Sequence, residues 1–265
     1  MLPEQASQAG IHWLYPGRQT YRRPIGGQQA SRTPNSRTTR CTELNNAPAI
    51  DRLNSLLPLR QRQAALDPSL RDLHRAILSG FAREGTPLTR AQIAACRGID
   101  DVDTALQRLA ADDLIVLTPD RQRVGGAYPF TTGQRVHRVQ VNGHSVYAMC
   151  ALDALSVAPM FGTRTGVDSR CHVTGRPIEI HMQDIRVISA QPASPWIGIR
   201  WQGISGCAAQ SLCLEMVFLF DQATAEGWRR QDRENISIVD LPGAVAFGAA
   251  FFRPLLASGA DGCGF

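Results

Sequence analysis

The sequence predicts an α+β protein, in which a winged-helix-like N-terminal module of three helices is joined to a mixed β-sheet domain with flanking helices. Three observations carry that prediction. Apolar residues recur at helical spacing in three successive segments between Asp67 and Asp112, each opened by a cap or a turn signal. An almost unbroken apolar run with helical spacing extends from Tyr147 to Met160. Beyond it, short runs rich in Ile, Val, Trp and Phe are separated by Gly, Pro and Asp, which is strand patterning.

In chain order, Asp67 and Pro68 supply an N-cap and a proline at the first helical position, and Leu70, Leu73, Ile77 and Phe81 follow until Gly85. Thr89 and Gln92 form a capping box for a second, short helix. After Arg97 and Gly98 a third helix carries Val102, Leu106 and Leu109 on one face. Leu114 to Leu117 reads as a strand, with the segment from Arg135 to Val141 as its expected partner. Three helices and a β-ribbon make the winged-helix pattern, and this raises DNA binding as one function. The charges oppose it: Asp100, Asp101, Asp103, Asp112 and Asp113 crowd the third helix, against Arg108, where phosphates would have to approach. A packing module or lid is the better reading, and nucleic acid is not expected as a partner.

Past the apolar run, strands are expected over Ile178–Met182, Arg186–Ala190, Pro195–Trp201 and Ser211–Phe220. In the last of these, Leu212, Leu214, Met216, Phe218 and Phe220 would share a core face and Cys213, Glu215 and Val217 the other. A helix start at Thr224–Trp228, a strand at Ile236–Val239 and a helix from Pro242 to Ala257 complete the chain. The divisions expected are a disordered tail rich in Arg, Gln, Ser and Pro over 1–50, a winged-helix-like domain over 67–141, a second domain over 144–257, and a frayed end over 258–265.

Composition sets bounds on function. The length of 265 residues and 43% hydrophobic content suit a soluble globular protein, and no apolar stretch has the length of a bilayer span or the form of a signal peptide. A cytoplasmic location without membrane partners is expected. All 28 basic residues are arginine, and six of them sit before residue 50 against Glu4 and Glu43, so most of the net charge of +5 belongs to the tail. The seven cysteines (41, 96, 150, 171, 207, 213 and 263) show no CxxC pair. That excludes a zinc ribbon and a disulfide scaffold, and reduced thiols are expected.

The chemistry centres on Cys150 and Asp153. Three residues apart on a helix, a thiol and a carboxyl point to the same side. In apolar surroundings the carboxyl's pKa rises, which leaves a neutral acid beside a thiol. Cys213, off the main core face of its strand, is a second thiol available for chemistry.

Five dispersed stretches then resemble the organomercurial (alkylmercury) lyase family: Tyr147 to Leu155, Val167 to Gly175, Gln210 to Cys213, Thr224 to Trp228, and Ala246 to Gly248 with Phe252, Leu255 and Leu256. The resemblance covers roughly residues 144 to 257, with weaker agreement back to about 67. It implies that 144–257 is the catalytic domain and that the activity is protonolysis of a carbon–mercury bond, giving a hydrocarbon and Hg(II) in mercury detoxification. It further implies that Cys150, Asp153 and Cys213 are the catalytic set. Cys150 and Cys213 would be the ligands of the mercury, with Asp153 as a further candidate, and Cys171 would be a buried structural residue. No cofactor is implied. External small thiols are needed for turnover, and a mercuric reductase is implied as an acceptor of Hg(II).

Soft thiolates suit a soft metal ion, and each must lose a proton to bind it, with Asp153 the nearest base. Met149 stands where the family commonly has Trp, and Leu214 and Glu215 stand where a second Cys and a His are usual. Glu215, two residues from Cys213 on a strand, would act on that thiol's pKa or donate a proton. Cys207 is read as a mercury relay or an incidental thiol. The same residues also suit a different class of protein: a non-catalytic mercury- or copper-binding protein, or a metal-responsive winged-helix regulator.

Overall fold

The computed structural model describes residues 47–257. Expectations for residues 1–46 and 258–265, including Cys41, Cys263 and the frayed end, lie outside the described residues. Positions 47–56 form helix α1, so the last positions assigned to the tail are helical. Helix α2 (Leu59–Ala64) follows directly. Neither helix was predicted, because each is short and the buried leucines of this stretch (Leu53 in α1, Leu59 in α2, Leu57 between them) join a core built by the rest of the chain. Gln63 shows this: its Nε2 donates to the Leu255 carbonyl at 3.0 Å and lies 2.8 Å from His74 Nδ1.

The three predicted helices are present. α3 (Pro68–Glu84) starts behind Asp67 and stops at Gly85, whose φ of 72° is the left-handed geometry that closes a helix without a side-chain penalty. It buries Leu73, Ile77, Leu78 and Phe81. α4 (Arg90–Ala94) carries both halves of the Thr89/Gln92 capping box, and α5 (Val102–Ala111) buries Ala105, Leu106 and Leu109.

The strands differ from expectation in partner and direction. β1 (Ile115–Leu117) pairs with β2 (Val124–Ala127), not with the 135–141 segment. The local hairpin wins because Thr118 closes the intervening loop, its backbone N–H and its hydroxyl both bonding to the Arg123 backbone. β3 (Phe130–Thr131), β4 (Arg138–Val141) and β5 (His144–Ala148) follow, then β6 (Arg164–Arg170), β7 (Pro177–Gln183) and β8 (Arg186–Gln191). These eight form one sheet in the order β1-β2-β3-β5-β4-β6-β7-β8. All its pairings are antiparallel, so the expected mixed sheet is corrected: neighbours are joined by hairpins or, for β3 with β5 and β4 with β6, by longer returns, and none runs parallel. A second antiparallel sheet sets β9 (Trp196–Arg200) between β10 (Met216–Leu219) and β11 (Ile236–Asp240).

The expected strand from Ser211 to Phe220 is only half realised. Residues 208–210 and 212–215 form 3-10 turns, and extended structure begins at Met216. Alternation therefore fails before Met216: Leu214, assigned to the core face, is 49% exposed. The cause is local, because the backbone breaks at Ser211 (φ −135°, ψ −90°), a conformation no strand continues through.

Helix α6 (Ala151–Phe161), apolar all round but for Asp153 and Ser156, is buried from Ala151 to Met160. It packs on α8 (Leu241–Phe252), which is capped by Asp240 and ends in a 3-10 turn rather than continuing to Ala257. The crossing is close because residue 248 is glycine: a Cβ there would lie 2.3 Å from Ser156 Oγ. α7 (Gln222–Arg229) covers the small sheet with Trp228, which fits only because Gly198 leaves room for its ring. Among the described residues no helix is long and apolar enough to cross a membrane.

Candidate functional site

Cys150 follows β5 and is the N-cap of α6, with extended backbone (φ −148°, ψ 178°). Its Sγ accepts the Asp153 backbone N–H at 3.3 Å, so the thiol occupies the place of a capping side chain and Asp153 falls in the first helical turn. The third residue arrives from the other sheet: Cys213 sits in the 3-10 turn Leu212–Glu215 that leads into β10. The three are buried, and their sulfur and carboxyl oxygen atoms all lie within 4.8 Å of one another. Residues separated by sixty positions in the chain are thus brought into one group.

Burial dominates the electrostatics. It pushes the Asp153 carboxyl up to about 7, against the opposing pull of the Cys150 thiol and backbone and of the Cys213 thiol. Asp153 Oδ2 is buried and has no hydrogen-bond partner among the described residues. An ionised carboxylate would be costly there, whereas the protonated acid is at home. Burial also raises the Cys150 thiol well above the usual range, with contact from Cys213 and the charge of Asp153 adding to the rise. For Cys213 the contact with Cys150 lowers the pKa, but burial and the charges of Asp153 and Asp113 outweigh it, and the thiol is raised. In this arrangement both thiols hold their protons firmly, the carboxyl is the group poised near neutrality, and a soft metal ion can displace the thiol protons.

Other residues singled out in the sequence lie apart from this group. Cys171 is buried at the β6–β7 turn, where its Sγ accepts the Thr174 N–H at 3.4 Å, in keeping with a structural place. Glu215 does not share a face with Cys213, because the two lie in a 3-10 turn. It pairs with Arg200 at 3.1 Å. Cys207 is partly buried at the start of the turn 208–210. Cys150, Cys171, Cys207 and Cys213 are free thiols, whereas Cys96 is disulfide-bonded, which corrects the expectation of uniformly reduced cysteines.

Two features escaped the sequence reading. Met216 Sδ lies 3.7 Å from Cys150 Sγ, giving the site a third sulfur. Its strand position on the core face was legible, but its neighbour was not. Met149 is buried with its Cε over Gly126, where a Cβ would come within 2.6 Å.

The sequence model of the alkylmercury lyases matches residues 130–253. The chain is 29% identical to the alkylmercury lyase of Staphylococcus epidermidis over 182 residues, 68% of this chain and 81% of that protein. It is 26% identical to the alkylmercury lyase of Streptomyces lividans over 184 residues, 69% and 83% of the two chains. A crystal structure of the mercury-bound form of MerB2 superposes with a TM-score of 0.63 over 75% of this chain and 98% of that one. At 20% identity this last likeness speaks for the fold. Sequence model, relatives and fold agree on one likeness: the chain is similar to the alkylmercury lyase family, whose model matches residues 130–253.

Proposed function

We propose that this protein is a carbon–mercury lyase that cleaves organomercurials to a hydrocarbon and Hg(II), with Cys150 and Cys213 as mercury ligands and Asp153 as proton shuttle. The observation that carries the reading is the buried group of two sulfurs and one carboxyl within 4.8 Å. Thiolates are the soft donors that mercury prefers over oxygen and nitrogen.

The reaction runs in three exchanges. One thiol takes the organomercury cation from a small-thiol carrier, and the carrier leaves with the proton of that thiol. The second thiol then passes its proton to the Asp153 carboxylate and binds the mercury through sulfur. Finally the carbon–mercury bond breaks: its electron pair takes the proton from Asp153, the hydrocarbon leaves, and Hg(II) remains on two thiolates. A carboxyl whose pKa lies near 7 can serve as both acceptor and donor at neutral pH. Two external thiols return the protons to Cys150 and Cys213 and remove the metal by exchange. Small cellular thiols or a mercuric reductase would serve as acceptor in a mercury-resistance role.

The reduced protein supplied with methylmercury and excess thiol should release methane, measured in the headspace. Cys150→Ser, Cys213→Ser and Asp153→Asn should each abolish release. Stoichiometric Hg(II) binding by wild type with the carbon–mercury bond left intact would overturn the lyase reading in favour of a mercury-binding protein.

A further inference from the structure

We infer that Asp113 and Tyr128 are positioning residues for Cys213, holding its loop where both sulfurs can close on one mercury. This rests on the proposed reading of Cys150 and Cys213 as mercury ligands.

The two thiols are held in different ways. Cys150 is fixed by the helix it caps. Cys213 sits in a single short 3-10 turn that follows the backbone break at Ser211. Strand β10 holds the turn from Met216 onward, so on its other side the distance from Cys150 depends on what anchors residues 202–211. Two backbone groups of that loop are tied to another part of the chain: Ala208 N–H donates to Asp113 Oδ2 at 3.1 Å, and Ala209 N–H donates to Tyr128 Oη at 2.9 Å. The anchors are themselves linked, since Tyr128 O–H donates to Asp113 Oδ1 at 2.8 Å. Among the described residues, the other hydrogen bonds of 202–211 run within the loop or to its own end, as from Ser211 Oγ to the Cys207 carbonyl and from Gln202 to the Ser211 carbonyl.

The clamp is built to be rigid. Tyr128 and Asp113 are buried, as are Ala208 and Ala209, so each of these polar groups would be costly to leave without a partner. Asp113 holds a left-handed backbone at φ 51°, which a side chain other than glycine keeps only when its surroundings demand it. Arg62 Nη1, 3.6 Å from Asp113 Oδ2, supplies the countercharge. The anchors come from the end of α5 and the turn between β2 and β3. The end of α5 and the large sheet thus each hold the loop before the second thiol by one hydrogen bond.

The test is retention of Hg(II) by the full chain, loaded with mercuric chloride and titrated with a competing monothiol, for Tyr128→Phe, Asp113→Ala and Asp113→Asn. Each variant is first shown to be folded by circular dichroism. Tyr128→Phe and Asp113→Ala should lose affinity by about tenfold or more, because the metal is then held through Cys150 with a poorly placed second sulfur. Asp113→Asn keeps an acceptor for one of the two bonds and should lie between Asp113→Ala and wild type. In a Cys213→Ser background, Tyr128→Phe should change the affinity no further, which a merely structural role would not produce. Should Tyr128→Phe fail to fold, the Asp113→Asn comparison with and without Cys213→Ser decides. Wild-type affinity in folded Tyr128→Phe, or an equal loss in the Cys213→Ser background, overturns the clamp. The lyase reading fails separately, through wild type that holds Hg(II) on both thiols but releases no methane.

Discussion

Cys150 Sγ accepts the backbone N–H of Asp153 at 3.3 Å, so one side chain both starts helix α6 and belongs to the buried group with Asp153 and Cys213. The position is one where an oxygen of Ser, Thr, Asp or Asn is usually preferred, and sulfur is the weaker cap.

That double role separates stability from activity. Serine at 150 keeps an acceptor for the Asp153 N–H but offers mercury a hard oxygen in place of a thiolate. Cys150→Ser should therefore change folding stability by no more than about 1 kcal/mol while lowering turnover at least about a hundredfold. Urea denaturation and headspace hydrocarbon release, measured on the same preparation, check the two halves. A large loss of stability would mean that the thiol's role is chiefly structural.

The Asp153 carboxyl gives a signed pH dependence. Its pKa rises from 3.8 in the ordinary range to about 7 through burial. Between these values the folded chain binds the proton more tightly than the unfolded chain does. The stabilising contribution is thus fully present below about 4 and is lost as pH rises through 7. A shift of this size corresponds to at most about 4 kcal/mol. Asp153→Asn, neutral at every pH, should match wild type near pH 4 and exceed it in stability by about 1–4 kcal/mol at pH 8. Melting curves that stay parallel from pH 4 to pH 8 would refute the burial argument.

The helical half of the fold was legible because its signals are local: Asp67 with Pro68, the Thr89/Gln92 box and Gly85 all sit where caps must be. The Cys150 and Asp153 pair was legible for the same reason, as two residues one helical turn apart. Pairing partners and the Cys213 turn were not. Whether Leu114 to Leu117 pairs with 124–127 or 135–141 is decided by the closure of one loop. The break at Ser211 accompanies tethers to Asp113 and Tyr128, more than eighty residues away in the chain. Asp113, read as a surface charge opposing phosphates, is instead buried. No periodicity announces such a contact.

Glu215 offers a contrast with the buried acid. On a strand it would have faced the same side as Cys213, but in the 3-10 turn it turns to Arg200, with each side chain about one third exposed. An ion pair so open to water contributes about 0–1 kcal/mol. Glu215→Gln should therefore leave hydrocarbon release within about twofold of wild type, with an unchanged pH profile, and lower stability by less than about 1 kcal/mol. A displaced pH profile would restore Glu215 to the chemistry.

The contact of α6 with α8 should govern the site from behind. Gly248 faces Ser156, whose Oγ donates to the Leu152 carbonyl at 2.6 Å, one turn back along the helix that carries Asp153. A Cβ at 248 would meet Ser156 Oγ at 2.3 Å and Ser156 Cβ at 3.3 Å. Alanine is the better helix former by about 1 kcal/mol, but overpacking a buried helix crossing costs about 1–3 kcal/mol, and the Ser156 hydroxyl can turn aside only by giving up its bond to the Leu152 carbonyl. Gly248→Ala alone should destabilise the protein and, by pushing α6 outward, slow turnover. Removing the obstructing oxygen with Ser156→Ala leaves only the milder 3.3 Å contact, so the double variant should recover at least about 1 kcal/mol relative to the sum of the single effects. Urea denaturation of the four proteins of this cycle measures the coupling, and strictly additive effects would show that the two helices do not press on each other at this point.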